Sequence, residues 1–131
     1  MIFVDTSFWV ALSRSKDVHH VAARELFEKH HKELLATSNH VRGETWTVLR
    51  RRAGHRAAVT FCELLDATSR VHVEFVSHRL EDAALNWLRS RPEREFSFVD
   101  ATSFAVMREA GMTSALAFDG DFAAAGFIEL R

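Results

Sequence analysis

The sequence predicts an α/β domain: a three-layer α/β/α sandwich with a mainly parallel central sheet. Short apolar, β-branched runs alternate with helical stretches through the whole chain, as strands and crossover helices do in a parallel sheet. Five Gly and one Pro in 131 residues leave little room for a linker, so residues 1–131 read as one domain. With 47% apolar and 27% charged residues, the chain has an ordinary globular composition. A domain of this size buries roughly two-thirds of its unfolded surface and needs no disulfide or structural metal.

Ile2 to Val4 is a continuous apolar run, read as a buried strand. A helix is expected from about Ser7 to Ser13. A second, from His19 to Leu34, carries a patchy apolar face of Val21, Ala22, Leu26 and Phe27. Leu35-Ala36-Thr37 is a brief second strand. Asn39 suits the N-cap of a helix through Arg52; Gly54 punctuates it, and another helix runs to about Ala67. Val71 to Val76 alternates and is β-branched, hence a strand. An amphipathic helix from His78 to Ser90 and a polar loop, Arg91 to Glu95, follow. A helix from Phe98 to Ala110 ends at Gly111. Ser114 to Phe118 and Phe127 to Leu130 are strands, the latter at a sheet edge.

The formal net charge is −1, so any grip on nucleic acid must be local. Cys62 is the sole cysteine, which rules out an internal disulfide and fits a reducing cytoplasm. The start, Met1-Ile2-Phe3-Val4-Asp5, lacks a signal-peptide pattern. No run approaches the roughly 20 apolar residues of a membrane span, so no membrane partner is expected.

Ligands of parallel sheets bind outside the carboxyl ends of the strands, and acids recur there. Asp5 closes the first strand; it also suits the N-cap of the helix that follows. Glu44 falls within a helical stripe of Val41, Thr45, Val48 and Leu49. A carboxylate facing inward needs a partner, either an arginine or a metal ion. Asp100 lies three residues after Ser97, which fits a capping box or a cleft edge. Asp119 follows a strand as Asp5 does, although Asp119-Gly120 is also a strong turn dipeptide. Asp121 is a second acid of that turn.

Carboxylates converging at one sheet edge repel. Two unit charges about 4 Å apart cost roughly 4 kcal/mol at an effective dielectric near 20. Divalent cations remove that cost, and all-oxygen ligands favour Mg²⁺ or Mn²⁺ over zinc.

Asp5-Thr6-Ser7 after an apolar strand, Glu44 before Val48-Leu49, Ser97-Phe98-Val99-Asp100 opening a helix, and Phe118-Asp119-Gly120-Asp121-Phe122 occur in an order and spacing that resembles the PIN-domain family. The resemblance spans essentially the whole chain and is greatest to the compact VapC-type toxins. It implies an α/β/α sandwich and Mg²⁺- or Mn²⁺-dependent hydrolysis of RNA phosphodiesters. Asp5, Glu44, Asp100 and Asp119 would be the acidic quartet, with Asp121 auxiliary. It also implies a homodimer and a small antitoxin partner. One departure is Ala117, where relatives often carry Thr; Thr6, Ser7 and Ser97 are alternative hydroxyls.

Two rival functions differ in class. A non-catalytic PIN-like module binding RNA or protein predicts an incomplete acidic set, whereas all four acids are present. A metal-dependent phosphatase of the haloacid-dehalogenase type carries Asp-x-Asp-x-Thr, and Asp5-Thr6-Ser7 lacks the second Asp.

Fourteen Arg outnumber three Lys. Arg51 and Arg52, in the run Arg50-Arg51-Arg52, and Arg91 and Arg94, before the Asp100 helix, are candidate RNA-phosphate contacts as well as solvated helix ends. None of the eight His falls in a zinc-ligand spacing. His40 precedes Glu44 by one turn and reads as a helix-start residue. Trp9 and Trp46 read as core, and Cys62 as a buried small hydrophobe.

Overall fold

A computed structural model describes residues 1–131. The elements run β1 (Ile2–Val4), α1 (Thr6–Ser13), α2 (His20–Lys29), β2 (Leu35–Ser38), α3 (Asn39–Arg52), α4 (His55–Ala67), β3 (Val71–Glu74), α5 (His78–Arg89), α6 (Phe98–Ala110), β4 (Ser114–Leu116), α7 (Asp121–Ala124) and β5 (Ile128–Glu129). All five strands are parallel, in the order β3-β2-β1-β4-β5. Helices α1 to α4 pack on one another, and α5 packs on α6. This is the expected α/β/α sandwich. No helix is long and apolar enough to cross a membrane.

The order explains where a site belongs. From β1 the chain builds outward to β2 and β3, then crosses to the other side of β1 for β4 and β5. The crevice between the carboxyl ends of β1 and β4 is therefore a topological switch point, the preferred ligand position in open parallel sheets. The Asp5 N–H donates to the Leu116 carbonyl at 3.0 Å, so the two strand ends are stitched together there.

Two buried features hold that crevice. Helix α6 is buried from Asp100 to Met107, as a helix at the centre of a domain must be. Phe122, fully buried on α7, packs edge-on against Phe104 of α6 with centroids 5.0 Å apart and stacks on Phe3 of β1 at 6.1 Å. The turn after β4, the start of α6 and the end of β1 thus share one aromatic anchor. Burying such a ring contributes about 1.5–3 kcal/mol.

Several boundaries differ from the sequence reading, each because of a specific contact. Helix α2 stops at Lys29, not Leu34. Arg70 reaches over its end, donating from Nη2 to the Phe27 carbonyl at 3.0 Å and from Nε to the Glu33 carbonyl at 3.2 Å. The N-cap of α3 is Ser38, whose Oγ accepts from the Val41 N–H at 3.0 Å. Asn39 instead accepts the Val76 N–H at 2.9 Å through Oδ1, which takes that donor from the ladder, and β3 ends at Glu74. Strand β4 likewise stops at Leu116, with the Phe118 N–H donating to Ser7 Oγ at 3.0 Å. Helix α7 is a single turn too short to carry a periodic signal. Trp9 is fully buried, its Nε1 donating to Thr37 Oγ1 at 3.3 Å. Trp46 and Cys62 pack against the core as expected but are only half-buried.

Candidate active site

The β1–β4 crevice opens into a cleft of about 460 Å³. Asp5, Glu44, Asp100, Asp119 and Asp121 all line it. The elements deliver them from four directions: the end of β1, one face of α3, the first turn of α6, and the turn between β4 and α7.

Asp5 is 2% exposed. Its Oδ2 accepts from the Ser7 N–H at 3.1 Å and from Ser7 Oγ at 2.7 Å, so it does cap α1. The cap does not satisfy the charge. Burial, then the neighbouring Asp119, lift its pKa to about 8. Ser7 Oγ also accepts the Phe118 N–H, so one hydroxyl joins Asp5 to the end of β4.

Asp100 likewise has both roles weighed from sequence. Ser97 Oγ accepts the Asp100 N–H at 2.9 Å, and Asp100 Oδ2 accepts the Ser97 N–H at 3.0 Å, a complete capping box. Asp100 is nevertheless 7% exposed and faces the cleft. Burial, with Asp121 and Asp119 adding repulsion, raises its pKa to about 7.

Asp119 is exposed as a residue, yet its carboxyl pKa is also raised, by partial burial and the charges of Asp121 and Glu129. Its Oδ1 accepts the Asp121 N–H at 3.1 Å across Gly120, whose φ of +80° is left-handed and suits glycine. Asp100, Asp119 and Asp121 offer carboxylate oxygens that all lie within 4.8 Å of one another.

Two expectations need correcting. Asp121, read as the weakest acid, is in this tight trio, because the left-handed turn folds it back over Asp119. Glu44, read as part of the buried stripe, is half-buried and outside the trio. The buried line of α3 is Val41, Thr45 and Leu49. Glu44, Val48 and Arg52 run beside it at i, i+4 and i+8 and form a wall of the cleft.

The four candidate arginines separate. Arg52 lines the cleft. Arg94 is not free for RNA: its Nε donates to Asp121 Oδ1 at 2.7 Å and its Nη2 to the Asp119 carbonyl at 3.4 Å. Arg91 lies over the Trp87 ring, 5.2 Å from its centroid. Arg51 is exposed and outside the cleft. His40 pairs with Glu81 at 3.1 Å, away from the cleft. The sequence reading missed His19, Asp17 and Glu95, which line the cleft. The adjacent His19-His20 pair was visible, but the loop that turns one of them into the cleft was not.

The donors suit a hard divalent cation. They are all oxygens, clustered carboxylates are costly without a counter-charge, and the Thr6 Oγ1 beside Asp5 is buried without a hydrogen-bond partner. Of the hydroxyls considered in place of the absent Thr at 117, Ser7 and Ser97 are engaged in caps, and Thr6 lines the cleft.

Comparison with known proteins agrees with this fold. The PIN domain profile matches residues 2–128. The 23S rRNA-specific endonuclease VapC20 of Mycobacterium tuberculosis, in strains CDC 1551 and H37Rv, is 56% identical over 131 residues, covering 100% of this chain and 98% of the relative. The crystal structure of M. tuberculosis VapC20, described as a sarcin–ricin loop cleaving toxin, superposes with a TM-score of 0.95 at 53% identity over 100% of this chain and 99% of that one. With the profile matching residues 2–128 and full-length relatives alike in sequence and fold, the protein belongs to the PIN-domain family.

Proposed function

We propose that the protein is a metal-dependent endoribonuclease, the toxin of a toxin–antitoxin pair, and that it cuts 23S rRNA at the sarcin–ricin loop. The observation that carries the reading is the acid cluster itself. Asp5 and Asp100 are buried with raised pKa values, and Asp100 joins Asp119 and Asp121 in a trio of carboxylates within 4.8 Å, in the crevice where a parallel sheet binds its ligand. The full-length likeness to VapC20 supports the substrate.

In this reading Asp5, Asp100, Asp119 and Asp121 would hold one or two Mg²⁺ or Mn²⁺ ions, with Glu44 on the cleft wall of α3 as a further carboxylate. Such ions neutralise charge on a phosphate and generate a nucleophilic water at neutral pH. The protein's own groups organise the rest. Ser7 fixes Asp5 against the end of β4, the capping box fixes Asp100, and Gly120 folds Asp121 back over Asp119. No side chain acts as a covalent nucleophile. Arg52, at the mouth, is the arginine best situated for a phosphate contact.

The same reading includes a small antitoxin that covers the cleft, a homodimer, and a cytoplasmic site of action alongside the ribosome. Light scattering tests the dimer: twice the 14.9 kDa chain mass is expected. The substrate is tested by incubating ribosomes with the protein and Mg²⁺ or Mn²⁺ and mapping 23S rRNA ends by primer extension. A single new end within the sarcin–ricin loop is expected. Cleavage scattered across rRNA and tRNA would refute the assignment of substrate.

A further inference from the structure

We infer that His19, laid flat on Phe118 at the cleft mouth, is a stacking shelf for a nucleobase next to the scissile phosphate. The inference deepens the ribonuclease reading and rests on it.

His19 and His20 are adjacent but serve different ends. His20 Nδ1 lies 2.7 Å from the Ala11 carbonyl, which ties α2 to α1. His19 stands at the N-cap of α2, yet its side chain makes no capping hydrogen bond and no ion pair. Its ring lies parallel to Phe118 instead, with centroids 4.5 Å apart and planes at 4°.

Phe118 is a fixed base for that ring. It stacks on Phe8 at 5.7 Å, lies 5.2 Å from the Arg131 guanidinium carbon, and is pinned through its N–H to Ser7. It directly precedes Asp119. A base on the outer face of His19 would therefore sit beside the acid trio, in register with the strand end that carries it.

Chemistry points the same way. His19 is exposed, no other ring stacks on it, and both His19 and Phe118 line the cleft. A flat exposed ring held rigidly at the edge of a phosphodiester site presents a π-face, and single-stranded bases stack on such faces. A contact to the uncharged base would hold the nucleotide there without placing a further charge beside the acids.

The test uses a synthetic RNA hairpin carrying the sarcin–ricin loop, with Mn²⁺ or Mg²⁺, and steady-state cleavage by wild type, His19→Ala and His19→Phe. Losing one base–aromatic stack corresponds to roughly 5- to 150-fold. His19→Ala is expected to lose kcat/KM on that scale, mainly through KM, and His19→Phe to recover most of it. Hairpins with single abasic nucleotides flanking the cut supply the second readout. One abasic position should penalise wild type and His19→Phe, yet cost His19→Ala little more. Equal sensitivity of wild type and His19→Ala to every abasic position, or an unchanged KM in His19→Ala, would overturn the shelf while leaving the nuclease intact. A wild-type protein that neither binds nor cuts the hairpin would overturn both readings together.

Discussion

Replacing Asp100 with Asn should abolish function while making the metal-free protein more stable. The folded pKa of Asp100 is raised from 3.8 to about 7, so the folded state holds its proton more tightly than the unfolded state does. The favourable contribution is complete below the unfolded pKa and is lost as pH rises through about 7. At pH 8 the penalty is fully developed. At about 1.4 kcal/mol per pKa unit, its ceiling is about 4 kcal/mol. Asn removes the charge and can still accept the Ser97 N–H, although it gives up an attraction to the N-terminus of α6 of about 0.3–1 kcal/mol. A net gain of about 2–3 kcal/mol is expected at pH 8, or roughly 5–12 °C in Tm for a domain of this length. The assay is thermal and urea unfolding in EDTA at pH 8 and pH 4. The gain should nearly vanish at pH 4, and added Mn²⁺ should raise the wild-type Tm far more than that of the variant. Equal stability changes at the two pH values, or destabilisation at both, would refute the claim that the cluster stores electrostatic strain.

Other residues give separate outcomes. Ser7→Ala removes the hydroxyl shared by Asp5 and the Phe118 N–H; urea titration should show a loss of about 1–3 kcal/mol, with a fall in kcat. Phe122→Ala removes the anchor common to β1, α6 and the Asp119 turn, so a stability loss of about 3–5 kcal/mol and weaker Mn²⁺ binding are expected by calorimetry. Arg94→Gln deletes a cation that competes for Asp121; Mn²⁺ should bind roughly two- to five-fold more tightly, the scale of an exposed ion pair.

Much of this architecture was legible in the sequence because it rests on local signals. The apolar run Ile2 to Val4, the Ser97 start and the Gly111 stop of α6 are read from neighbours in the chain, and they stand where expected. Boundaries that failed depend on distant side chains: Arg70 ending α2, Asn39 ending β3 and Ser7 ending β4. No periodicity encodes such contacts. The same division runs through the site. Asp5 and Asp119 follow from the rule that strand ends carry ligands. The placement of Asp121 in the trio and of Glu44 on the cleft wall depends on the left-handed turn at Gly120 and on a buried line of α3 that runs through Thr45 beside Glu44. His19 could not be assigned before its loop was seen to fold onto Phe118.

The central claim is that this acid cluster cuts RNA with the help of a divalent ion. The most direct measurement compares wild type, Asp5→Asn and Asp100→Asn on the sarcin–ricin hairpin, with Mg²⁺ or Mn²⁺ and with EDTA. Cleavage by wild type alone, abolished by EDTA and restored by added metal, is the predicted result. Cleavage that persists in EDTA, or survives in both variants, would contradict the account.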